Sequence, residues 1–341
     1  MALYRFSAVR NPTKRRLCAA LVAAALAGCG GGGGGGSSPG VTAPVVAPAG
    51  GGGTGGGGTP AGETGVPPAS SAPYPTLSTV NSSNGGVRVY TSIMSDAPDD
   101  PTRGQVTARA DGRGNFTFTV NAQPGFDGYT FTVGLANAGA LTSVQGTSCG
   151  SCWRSGSFST DTLVGRFLYL DPTAAGFSYL SIGHWAVNPT ANGEAQSTGA
   201  GVVGIPTRTA DIPKTGTATY TGQFIGTYRN GTQSGPIGAI ASATANFGSG
   251  VVALQTTNSF GQFFNGNDMA TPFLDFAGTL TGMSTNQLRG TMATRDGMIG
   301  DAHGAFFGPA AQELGGAVVF KRPPTVANNL SFQGAFGLKK Q

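Results

Sequence analysis

Between Thr215 and Lys339 the chain reads as eight stretches of alternating side-chain polarity separated by short turns, a pattern that confines this part to antiparallel β structure. The predicted strands are Thr215 to Arg229, Ile237 to Phe247, Val251 to Asn258, Phe273 to Thr281, Gln287 to Thr294, Met298 to Phe307, Leu314 to Lys321 and Leu330 to Lys339. Eight such strands in sequence predict a closed up-and-down barrel, which leaves no sheet edge unpaired. In the first strand Ala218, Tyr220, Gly222, Phe224, Gly226 and Tyr228 share one face. Thr217, Thr219, Thr221, Gln223, Ile225 and Thr227 share the other. The last strand places Leu330, Phe332, Gly334, Phe336 and Leu338 on its apolar face. A membrane pore would turn the apolar face outward. The mainly Thr/Gln face instead fits water, so the expectation is a soluble barrel with a packed apolar interior, in which glycine relieves crowding around the aromatics.

The segment ahead of the barrel is also β. Phe116 to Val120 and Tyr129 to Val133 alternate, as do Val164 to Leu170 and Phe177 to Val187. Asp111-Gly112, Pro124-Gly125, Asp127-Gly128, Asp171-Pro172 and Asn192-Gly193 mark turns between such runs. No stretch shows a 3.6-residue apolar period, so the fold class is all-β.

The N-terminus has a different logic. Arg5, Arg10, Lys14, Arg15 and Arg16 precede a short apolar run over residues 17–26, followed by Leu26-Ala27-Gly28-Cys29. A basic region, a short apolar region and a small-residue cleavage site make an export signal. The run is too short to span a bilayer, which takes roughly 20 residues. The Leu-Ala-Gly-Cys string resembles the bacterial lipobox, whose cysteine thiol is acylated before cleavage, which implies palmitate-type lipidation at Cys29. The alternative is ordinary cleavage near Ala23-Ala24-Ala25 with Cys29 a bystander. Gly30 stands where an aspartate would favour the inner membrane, and so points to the outer one.

From Gly30 to Pro75 the chain is nearly all Gly, Ser, Pro, Ala, Thr and Val. Such a segment buries too little apolar surface to offset its ordering entropy, and as a flexible coil would span roughly 35 to 40 Å. The expected division is therefore 1–28 signal, 29–77 lipidated cysteine and disordered tether, 78–206 a β domain and 207–341 the barrel. The formal charge of +5 belongs to the signal. Five of the 20 Lys and Arg residues, and none of the 15 Asp and Glu, lie before residue 17, so the chain beyond the basic region carries 15 of each sign. No basic patch then argues for nucleic acid.

Three strings in the barrel resemble a known family. Gly304-Ala305-Phe306-Phe307-Gly308-Pro309-Ala310-Ala311-Gln312-Glu313-Leu314-Gly315-Gly316 resembles the signature hairpin of the transferrin-binding protein B type barrel. Pro213-Lys214-Thr215-Gly216-Thr217-Ala218-Thr219-Tyr220-Thr221-Gly222 resembles its opening strand, and Phe332-Gln333-Gly334-Ala335-Phe336-Gly337 its closing strand. The resemblance implies a surface lipoprotein with one lobe, a handle over 78–206 followed by the barrel. It also implies capture of a host iron- or haem-carrying protein or a small ligand, and display by an outer-membrane translocator. Family binding lies in variable loops, none of which matches a known binder here, so no ligand residue is carried over. Glu313 is assigned to the turn.

Little else suggests chemistry. Cys149-Gly150-Ser151-Cys152 is expected to form a small-loop disulfide that braces a loop, with Trp153 packed over it, since export places it in an oxidising compartment. The thioredoxin-like context of a redox pair is absent, as are the further ligands of a zinc site. Of the two histidines, His184 lies in a strand-like run beside Trp185 and is the one candidate haem ligand. The bland reading is a satisfied strand histidine. His303 shares a strand face with Asp301. No nucleophile elbow, P-loop, dinucleotide fingerprint or H-E-x-x-H string is present, and Asp99-Asp100 lies in a proline-flanked turn. These residues point to a non-catalytic binding lipoprotein of the outer membrane, with no cofactor unless haem sits at His184. The competing readings are a structural or shielding envelope lipoprotein and a haemophore-like protein. Whether the head faces the medium or the periplasm is open at this level.

Overall fold

The alternating segments pair as local periodicity directs, and the last of them closes on the first. The computed structural model describes residues 63–64, 73–80, 87–95, 106–111, 113–120, 129–134, 139–140, 149, 151–159, 163–189, 197–230, 233–262, 268–321 and 330–341. Cys29 and the expected signal, residues 1–28, lie outside them. In chain order the elements are β1 (Glu63–Thr64), β2 (Val87–Ser95), β3 (Val106–Ala110), β4 (Phe116–Val120), β5 (Tyr129–Val133), β6 (Gly139–Ala140), β7 (Trp153–Ser159), β8 (Leu163–Leu170), a one-turn helix α1 (Pro172–Ala175), β9 (Leu180–Pro189) and β10 (Ser197–Gly204). The eight strands of the barrel are β11 (Thr217–Asn230), β12 (Gln233–Asn246), β13 (Val251–Gln262), β15 (Phe276–Thr281), β16 (Leu288–Thr294), β17 (Ile299–Phe307), β18 (Glu313–Lys321) and β19 (Leu330–Lys340), and a short strand β14 (Asp268–Ala270) pairs with the end of β13.

All barrel pairings are antiparallel, and β11 pairs with both β12 and β19, which closes the ring. The predicted inner face is the core. Tyr220, Phe224, Phe276, Phe306, Phe320, Phe332 and Phe336 are buried together, with Phe320 stacked on Phe332 at 5.3 Å. Each such ring buries roughly 150–250 Å². Gly334 faces inward on β19, and a Cβ there would run into the Phe224 ring; the small residue makes room for the large one.

Ahead of the barrel, β1-β2-β10-β9-β8-β7-β6 form one sheet and β3-β4-β5 a second. Between them lies a slab of aromatics. Phe131 stacks on Phe118 at 5.3 Å and on Phe158 at 4.7 Å, and Trp185 Nε1 donates to Tyr129 Oη at 2.6 Å. The other face of the larger sheet packs on the barrel wall through Tyr90, Leu170, Leu180, Ile182, Ala200 and Val202.

That packing corrects the expected wet exterior. Thr217, Thr219 and Thr221 are exposed, but Gln223, Ile225 and Thr227 on the same face are buried against the sheet. A two-residue period tells inside from outside but not which part of the outside a neighbour covers. The tether boundary changes too. Glu63–Thr64 pairs with Val87–Arg88, and Leu77 is buried and donates its N–H to the Ser178 carbonyl. Its single leucine lets the segment join a core that its Gly/Pro composition argued against. Pro272 opens a 3-10 turn over Pro272–Leu274, so β15 starts at Phe276 rather than Phe273. Asn258, at φ 59°, sits in a bulge that lets β13 run on to Gln262 and pair with β14, a strand the alternation did not announce.

Cys149 and Cys152 are joined in a disulfide. Cys152 and Trp153 are fully buried against Leu170, and the Cys152 carbonyl accepts from the Asp171 N–H at 2.7 Å. A four-residue loop limits how much chain entropy the bridge removes. Reduction is expected to lower stability by about 2 kcal/mol, measured as the shift in urea midpoint with and without reductant; an unchanged midpoint would mean that packing alone holds the loop.

Candidate binding cleft between the sheet domain and the barrel

A chain of hydrogen bonds sets the geometry of the junction. After β10 the linker runs beside the end of β17. Ile205 N–H donates to Tyr179 O, Gly308 N–H to Ile205 O, and Thr207 Oγ1 to Gly308 O at 2.6 Å. Gly308 has φ +72°, and a Cβ there would strike the Tyr179 ring, so the Phe307-Gly308-Pro309 turn requires glycine.

Two polar side chains lock this seam. Asn286 is buried in a left-handed conformation (φ 52°). Its Nδ2 donates to Thr207 O at 2.8 Å and Phe306 O at 2.9 Å, and its Oδ1 accepts from Phe306 N–H at 2.8 Å. Glu313, assigned from sequence to the turn, reaches across the seam. Its carboxylate accepts from the amides of Ser178 at 2.7 Å and Tyr179 at 3.0 Å. Burial pushes its pKa up to about 7, outweighing those amide bonds and the nearby Lys339.

Beside this seam β2 and the barrel wall enclose a cleft of about 310 Å³, at the lower end of the small-ligand range. Its walls include Tyr90, Thr91, Gln287, Arg289, Asp301 and His303. The pleat aims alternate residues of β16 and β17 the same way. Arg289 stands directly opposite His303, and Thr291 opposite Asp301. The Tyr90 ring is buried at the base, 5.9 Å from His303, and its hydroxyl donates to Asn286 O at 3.4 Å. Arg289 is exposed, and among the described residues it makes no ion pair. The cleft can therefore offer a guanidinium, an imidazole, hydroxyls and an aromatic base to a polar ligand.

His184 lies elsewhere. It sits on β9 opposite Ala200, on the barrel-facing side of the sheet. Among the described residues its buried Nδ1 has no hydrogen-bond partner, and burial lowers its pKa to about 4, so the ring is neutral at pH 7. The space of about 30 Å³ that it borders lies among Phe116, Phe118 and Phe131 on the other face of the sheet, with room for one or two waters. Among the described residues no cluster of three or more His, Cys, Asp or Glu is placed to hold a metal. Sequence reasoning placed His303 and Asp301 on one face correctly but missed Arg289 and Tyr90. Arg289 shares the outward face of its strand with Gln287 and Thr291, but nothing local to the strand supplies the wall that faces it.

Residues 212–340 match the family of C-lobe and N-lobe beta barrels of Tf-binding protein B. Among solved structures, a Transferrin Binding Protein B double mutant from Haemophilus parasuis Hp5 is 14% identical over 69% of this chain and 53% of that one, with a TM-score of 0.43. Intact Ap-TbpB, with N and C lobes, is 15% identical over 70% of this chain and 55% of that one, at a TM-score of 0.42. A solved Surface Lipoprotein is 10% identical over 74% of this chain and 98% of that one, at 0.37. The chain spans about half the length of the two transferrin-binding structures. No curated protein matches it. Residues 212–340 therefore form a closed eight-stranded barrel of the kind found in the lobes of Tf-binding protein B, with a β-sheet domain packed on its wall.

Proposed function

We propose that the protein is a lipid-anchored, non-catalytic binding protein displayed on the bacterial outer membrane, which captures a host iron- or haem-carrying protein or a small ligand. The barrel's match to the Tf-binding protein B family carries this reading. The signal and Cys29 support the anchor, since several acyl chains at roughly 0.8 kcal/mol per buried methylene hold a protein to a membrane almost irreversibly. The Gly/Pro-rich segment supports a head held clear of the lipid, and the cleft beside Arg289 and His303 supports a ligand role. An outer-membrane translocator would carry the head outward. His184 has no binding role in this proposal.

The test has two parts. Cys29→Ala is expected to move the protein from the membrane pellet to the soluble fraction and abolish labelled palmitate incorporation. Protease added to intact cells is expected to remove the head, and such cells to lose capture of iron-loaded transferrin or haemoglobin. A head protected until the outer membrane is opened would refute surface capture.

A further inference from the structure

We infer that the cleft holds a short zwitterion of dipeptide length, its carboxylate on Arg289 and its ammonium group on Asp301; this rests on the binding role proposed above. The barrel-wall side chains that line the cleft form two rows. Arg289 on β16 is the register partner of His303 on β17, and Thr291 is the partner of Asp301. Such partners have their Cβ atoms roughly 5 Å apart, and successive rows on one face lie roughly 7 Å apart. One row is therefore cationic and rich in donors, and the next is anionic and hydroxylated. The backbone register fixes the distance between them.

The exposed Arg289 guanidinium makes no ion pair or hydrogen bond among the described residues. Its planar fork matches the two oxygens of a carboxylate, and the His303 imidazole brings a further N–H. In the next row the Asp301 charge repels a second anionic group and attracts an ammonium, with the Thr291 hydroxyl as an additional acceptor. The facing wall is held in place. The Tyr90 hydroxyl accepts from Arg88 Nη1 at 3.2 Å and donates to Asn286 O at 3.4 Å, and its ring stands at right angles to Phe307. A wall already ordered costs little further entropy when a ligand lies on it. Length decides among zwitterions. Two extended residues reach about 7 Å, so a dipeptide sets one charge on each row. A single α-amino acid carries both charges on one carbon and serves only one row. The cleft, at about 310 Å³, admits a molecule of that size.

The probe is Ala-Ala, titrated into the full-length protein and followed by saturation-transfer NMR of its methyl protons. Saturable binding is expected, half-complete at about 1 mM or below. Ala-Ala amide lacks the carboxylate and N-acetyl-Ala-Ala lacks the ammonium, and each should bind about tenfold more weakly. 5-Aminopentanoate, with the same number of bonds between its charged groups and no peptide bond, should displace the probe; alanine should not. Arg289→Ala should weaken Ala-Ala about tenfold and bring it level with its amide. Asp301→Asn should erase the preference over the N-acetyl form. Both side chains are exposed, so neither change should move the urea midpoint. Absence of saturation up to about 10 mM, equal binding of either capped probe to the native protein, or failure of 5-aminopentanoate to compete would each overturn the proposal. So would a native-like affinity of Arg289→Ala for Ala-Ala. These outcomes are independent of surface capture. Cells that bind a carrier protein while the probe fails would sink this inference alone, whereas a protease-protected head would sink the proposed function and leave the titration readable.

Discussion

Asn286→Ala is expected to lower the unfolding free energy by about 3–8 kcal/mol, read as a fall in urea midpoint at constant slope. Alanine strands the Phe306 N–H and the Thr207 carbonyl in a buried seam, at about 1–3 kcal/mol each. Phe306 O keeps a partner in the Thr207 N–H, so it adds little. Alanine also inherits a left-handed backbone, which costs about 1–2 kcal/mol more. Asn286→Gly separates the two contributions. It should lose the hydrogen bonds but escape the backbone strain, and so retain about 1 kcal/mol relative to alanine. If glycine and alanine were equally damaging, the backbone part of this account would be wrong. If both were neutral, the seam would not depend on the amide at all.

Removal of the Glu313 charge should change how stability depends on pH. Its folded pKa, about 7, lies above the unfolded carboxyl value of about 4.3. The folded state therefore binds this proton more tightly than the unfolded chain. Below about pH 4 both states are protonated and above about pH 8 both are ionised, so neither range contributes a slope. Between them stability falls as pH rises, by a few kcal/mol at most. Glu313→Gln is expected to flatten that part of the profile, and unfolding at pH 5 and pH 8 measures it. Glu313→Ala should instead destabilise at both pH values, because the Ser178 and Tyr179 amides lose their acceptor whatever the charge. A native-minus-Gln difference that is the same at pH 5 and pH 8 would rule out ionisation of Glu313 as the cause.

The contrast between these two residues shows what was readable beforehand. Glu313 sits in a recognisable string, yet its partners lie about 135 residues earlier in the chain. Asn286 comes after an ordinary Ser-Thr pair, and its partners belong to the linker and to β17. Nothing local marks either as the pin of a junction. The same holds at Cys149 and Cys152, where spacing indicated the bridge, but the fit of Trp153 and Cys152 against Leu170 depends on the neighbouring strand β8.

Local alternation was enough to specify eight barrel strands, their inward aromatics and the small residues that admit them, because side-chain direction along a strand is a property of the strand itself. Tyr220, Phe224 and Phe332 announce the interior before any partner is known. Only the tertiary structure decided that Ile225 would be covered while Thr219 stays wet, that the Gly/Pro-rich segment would lend Glu63–Thr64 to a sheet, and that Arg289 and His303 would face Tyr90 across a cleft. Those outcomes depend on which distant surfaces meet. For Tyr90 and Arg289 the meeting joins residues about 200 positions apart, a distance over which no local period carries information.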